Sequence, residues 1–104
     1  MATHLEPFTI LFPEGFDERQ EFEMPSKGYL RDLVVRLEDG AEYQLFFIDP
    51  TRLQQDLEAD AQEGRDYYAE PGMVVLPEVT TEAIRKTVAN LWRDGFFANL
   101  KPLS

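Results

Sequence analysis

Apolar and polar residues alternate from Pro7 to Phe12, placing Phe8, Ile10 and Phe12 on one side, and this period of two predicts a first strand. Pro13-Glu14-Gly15 supplies a turn, since proline presets its own φ and glycine tolerates the positive φ that turns often need. Alternation returns from Gln20 to Met24, with Phe22 and Met24 inward and Glu21 and Glu23 outward, so a β-hairpin is expected here. Pro25-Ser26-Lys27-Gly28 is the next break. Tyr29 to Leu37 carries two patterns at once. Leu30, Leu33, Val34 and Leu37 have helical spacing, whereas Leu33, Val35 and Leu37 alternate. Strand is preferred, because Asp39-Gly40 is a hairpin turn and Val34-Val35 favour the pleat. Tyr43 to Ile48 is apolar on both faces, which fits a strand covered on two sides, by the chain itself or by a partner.

Asp49-Pro50 is a helix start, a capping carboxylate followed by proline at the first helical position. That helix should run to about Glu63, stop at Gly64 and bury a narrow stripe of Leu53, Leu57 and Ala61. A loop carrying Tyr67 and Tyr68 leads to the turn Pro71-Gly72, then to a short apolar run, Met73 to Leu76, of the kind found in buried strands. Thr80 caps a second helix with Glu82 in its first turn. Ile84, Val88, Leu91 and Trp92 line one side of it, and Gly95 ends it. The apolar tail, Phe97 to Leu103, is expected to pack on the domain.

The predicted fold class is α+β: one domain over residues 1–104, with Met1–Glu6 flexible. Its sheet is expected to be mainly antiparallel, with about five strands in the order β-β-β-β-α-β-α, packed with two helices. The last strand can run parallel to the fourth through the first helix.

Composition narrows the function classes. The 104 residues suit one core, and 8 Phe can anchor it without disulfides. The absence of cysteine removes a thiolate nucleophile and Cys-based zinc sites. No signal peptide and no membrane-spanning run is visible, so a cytoplasmic location and no membrane partner are expected. The net charge is −10, unevenly spread. From Glu38 to Glu70 ten acids face two bases, a net of −8, whereas Pro71 to Ser104 carries +1. Such a field repels nucleic acid and attracts basic proteins or cations.

Chemistry-bearing motifs are missing. The single histidine, His4, has no fixed partner near the terminus, and no metal is expected. Asp56, Glu58, Asp60 and Glu63 imitate a calcium loop but lack its glycine and lie in a predicted helix. No glycine-rich phosphate cradle or nucleophile elbow occurs, so no cofactor is expected. Glu70 and Glu78 flank the last strand as a carboxylate pair, the basis of a hydrolase alternative.

Asp56, Asp60 and Glu63 share a helix flank next to Tyr67 and Tyr68, a residue type enriched at interaction hot spots. These five are the candidate partner-binding residues. The leading expectation is therefore a non-enzymatic module that binds another, basic protein. In composition such a chain is similar to inhibitor or immunity proteins, and an inhibitor of a basic toxin or nuclease is the sharpest version. The alternative is a homo-oligomer that binds a small molecule, using the strand Tyr43 to Ile48 as interface or pocket wall.

Overall fold

The computed structural model describes residues 7–103, and His4 and the expected flexibility of residues 1–6 lie outside them. The fold is α+β, a four-stranded mixed sheet with three helices. Its strands are β1 (Phe8–Leu11), β2 (Tyr29–Leu37), β3 (Glu42–Ile48) and β4 (Met73–Val75), in that spatial order. The helices are α1 (Glu18–Lys27), α2 (Pro50–Gln62) and α3 (Thr81–Arg93), followed by a single 3-10 turn, Phe96–Asn99. β1 to β3 are antiparallel, with Asp39-Gly40 turning β2 into β3, and β4 runs parallel to β3 through α2. The parallel crossover matches the expectation; the strand count does not.

The fifth expected strand, Gln20 to Met24, is helical, so it forms no hairpin with β1, and among the described residues the helices number three. The Asp17 carboxylate accepts the amide N–H of Gln20 at 2.9 Å and caps α1, whose first turn holds Glu18 and Glu21. At the other end the N–H of Gly28, in the left-handed conformation, donates to the Met24 carbonyl. Pro25 sits in the last turn. In a helix, residues two apart point to nearly opposite sides. Met24 therefore goes into the core at 2% exposure while Phe22 stays 86% exposed.

The core lies on one face of the sheet. Leu33, Val35, Tyr43, Leu45 and Phe47 meet Met24 of α1, Ile84 and Val88 of α3, and Phe97. Burying one such side chain contributes about 1.5–3 kcal/mol. Leu30 also faces this core although it is out of step with Leu33, because β2 is bulged between them. Leu30 pairs with Phe47 and Leu33 with Leu45, three residues against two, and Asp32 inside the bulge has φ +62°.

Phe46 and Ile48 point to the opposite face and are buried there. β3 is an inner strand, and both of its apolar faces are covered within the chain. On that second face Arg52 of α2 lies 4.5 Å above the ring of Tyr29, which pairs with Ile48. The two long helices α2 and α3 are thus split about the sheet.

Candidate functional site

α2 is anchored at its start and only half-buried beyond it. The Asp49 side chain accepts the Arg52 N–H at 2.7 Å, the Asp49 N–H donates to the Gly28 carbonyl at 2.8 Å, and Arg52 stacks on Tyr29. Arg52 also pairs with Asp56 at 3.2 Å. Beyond this anchor the helix contributes no fully buried residue: Leu53, Leu57 and Asp60 are half-buried, whereas Glu58 and Ala61 to Tyr67 are exposed. The expected burial of Ala61 does not occur.

The five candidate residues divide into two sets. Asp56, Asp60 and Glu63 lie on α2 and its C-terminal cap, with Asp56 tied to Arg52 and, among the described residues, neither Asp60 nor Glu63 in an ion pair. Like charges at i,i+4, as in Asp56 and Asp60, cost about 0.2–0.5 kcal/mol. Tyr67 is 64% exposed and continues this acidic arm. Tyr68 is turned away from it. Its ring sits 6.4 Å from Phe46 and its hydroxyl accepts from Arg31 Nη2 at 2.9 Å.

Arg31 fastens the loop to the sheet. Its Nη1 donates to both carboxylate oxygens of Glu70, at 2.8 and 2.9 Å, and its guanidinium carbon lies 4.1 Å from the Phe46 ring centre. The hydrogen bond to Glu70 outweighs partial burial and raises the Arg31 pKa, so the guanidinium is held still more firmly in its charged form. The pair is partly exposed, and such pairs contribute at most about 1 kcal/mol. Glu70 thereby directs both oxygens at Arg31, while Glu78 is exposed beyond β4.

Beside this latch an open groove of about 600 Å³ runs across β3. Gln44, Leu45 and Phe46 form its floor, Glu70 to Gly72 one wall and the tail Leu100 to Leu103 the other, with Arg31 and Asp32 at one end. Asp32 accepts from the Gln44 side-chain amide at 2.8 Å. Asp32 takes its positive φ inside the bulge, a conformation that aspartate adopts more readily than most residues. Among the described residues no three of His, Asp and Glu gather into a metal-ligating group, and no helix is long and apolar enough to cross a membrane.

Arg31, Asp32, Gln44 and Gly72 were not among the five candidate residues, and Gly72 was read only as part of a turn. Two signals point to Arg31 and Asp32. The parity break between Leu30 and Leu33 locates the bulge, and a charged residue opposite apolar Phe46 calls for a carboxylate on the covering loop. Compared with known proteins, the chain matches no family model, no curated protein and no solved structure.

Proposed function

We propose that the chain is a non-enzymatic protein-binding module that takes a basic protein onto the acidic arm formed by α2 and the loop after it. One observation carries the reading: α2 contributes no fully buried residue, and of the acids from Asp56 to Glu63 only Asp56 is held in an ion pair among the described residues. Asp60 and Glu63 sit without an ion-pair partner among the described residues, and exposed Tyr67 adds the aromatic contact that interfaces favour. A partner's lysines or arginines would relieve the mutual repulsion along the flank. An inhibitor of a basic enzyme or toxin is the most specific form of this role. Opposed charges exposed at a rim are screened within about 8 Å at physiological salt, so association should be fast and salt-sensitive. Reversing Asp56, Asp60 and Glu63 to lysine should abolish capture of the basic partner. Unchanged capture by that variant refutes the assignment.

A second reading is supported by the groove. Gln44 to Phe46 supply its floor, the role of pocket wall assigned to this strand, and its volume lies in the range of ligand sites. A ligand there should raise the melting temperature, and a flat response across a metabolite panel counts against it.

A further inference from the structure

The geometry points to an extended peptide segment as the ligand of this groove, paired to the edge of β3 from Glu42 to Leu45, which the chain's own tail occupies in part. This assignment rests on the groove reading and names its ligand class. Alternate residues of a strand direct their backbone groups to opposite edges. The Phe46 N–H donates to the Gly72 carbonyl and the Ile48 carbonyl accepts from Leu76, so the even-numbered residues of β3 face the side of β4. β4 pairs only with Phe46 to Ile48, which leaves Glu42 and Gln44 beyond its reach. The tail takes the first of these: the Leu103 N–H donates to the Glu42 carbonyl at 2.7 Å, as an added strand would. Gln44, between the tail and Gly72, has no such backbone bond on that edge among the described residues; Gly72 lies against its carbonyl oxygen, so its N–H is the group that an added segment would pair with. Open strand edges of this kind accept peptides through main-chain pairing, and side-chain pockets set the preference.

The tail is lightly held. Lys101 to Leu103 are exposed, and among the described residues Leu103 contributes one backbone hydrogen bond. When it leaves, Lys101 leaves with it, and the charges that remain are largely matched: Arg31 with Glu70 and Arg36 with Glu42. Asp32 keeps an oxygen not engaged by Gln44. Exposed Pro71 provides apolar surface beside it. The preferred segment therefore carries one basic side chain between apolar residues. This is the chemistry of Leu100-Lys101-Pro102-Leu103 itself, which acts as a placeholder.

The test uses a synthetic peptide with the sequence of residues 98–104 and the backbone amide NMR signals of Glu42 to Phe46. Leu103→Pro removes the donated N–H without shortening the chain, and a chain ending at Leu100 provides a second tail-free form. Both should bind the peptide, with shifts centred on Gln44, and the unaltered chain should bind it at least about tenfold more weakly, since a tethered segment competes at roughly millimolar effective concentration. A peptide with glutamate for its lysine should lose about tenfold in either tail-free form. No shift in the folded variants, or equal binding with and without the tail, overturns the assignment. Melting temperatures raised by small metabolites but not by the peptide overturn the peptide while sparing the groove. No response to either overturns both.

Discussion

Replacing Gly72 by alanine tests how closely the loop approaches β3. Gly72 has φ +77°, and an added Cβ would run into the backbone carbonyl oxygen of Gln44. Gly40, in the β2–β3 turn, has a similar φ of +89° but nothing within 4 Å of its Cβ position. Alanine at either site meets the left-handed penalty of about 1–2 kcal/mol, offset by about 0.4–1 kcal/mol from a less flexible unfolded chain. Gly40→Ala should therefore cost about 1 kcal/mol or less. At Gly72 the colliding atom belongs to an inner strand and cannot swing aside as a side chain can. Forcing it over adds a further cost of about 1–3 kcal/mol, as in overpacked cores. Gly72→Ala should total roughly 1–4 kcal/mol, and with 4–8 °C per kcal/mol for a domain of this size its melting point should fall by about 4–32 °C. Urea denaturation followed by circular dichroism gives both free energies. Equal losses for the two variants would refute the close approach, because both share the φ strain and only one has the collision.

Four other perturbations probe separate parts of the fold. Asp17→Ala should cost about 1 kcal/mol and reduce helical ellipticity, which a strand over Gln20 to Met24 would not do. Phe47→Ala should cost about 3–5 kcal/mol, read from denaturant midpoints, because its ring is fully buried in the core. A double-mutant cycle of Arg31→Met and Glu70→Gln should give a coupling of about 0.5–1 kcal/mol, with faster proteolysis of the loop 63–72 in either single variant. A raised arginine pKa contributes fully below its unfolded value and is lost only above it, so this coupling should be the same at roughly pH 6 and pH 9. Finally, Asp60→Lys with Glu63→Lys should leave the unfolding free energy within about 0.5 kcal/mol of the parent, since neither side chain is fully buried; a larger loss means that the arm is structural.

The readable parts of the fold were those where local signals agreed. Asp49-Pro50 and Thr80 are caps whose side chains bond the N–H groups of Arg52 and Ala83, and both helices begin there. Asp39-Gly40 joins two apolar runs, and a hairpin forms there. The error at α1 has a specific cause. Phe22 and Met24 look like the inward face of a strand only if both are buried, and an exposed phenylalanine defeats that premise. Asp17, the acids after it and Gly28 after Lys27 carried the helix signal, but Pro25 read as a breaker rather than as a last-turn residue. The double pattern in β2 also has a physical origin. A bulge turns the step from Leu30 to Leu33 into three residues, which imitates helical spacing within an extended strand.

The candidate surface was legible as charge but not as geometry. Composition placed the acids between Glu38 and Glu70, and α2 with its cap carries four of them in the arm from Asp56 to Glu63. Nothing local separated Tyr67 from its neighbour. Tyr68 is drawn inward by Arg31 and Phe46, contacts 37 and 22 positions away along the chain that only the tertiary fold creates. The groove was hidden for the same reason, since its floor, walls and end come from four separate segments.

The most direct test of the acidic arm is affinity purification from the native host, run in parallel with the unaltered chain and the Asp56→Lys, Asp60→Lys, Glu63→Lys variant, at low and high salt. A basic protein should co-purify with the unaltered chain at low salt, be released at high salt and be missing from the variant. The same proteins on both chains, indifferent to salt, would contradict it.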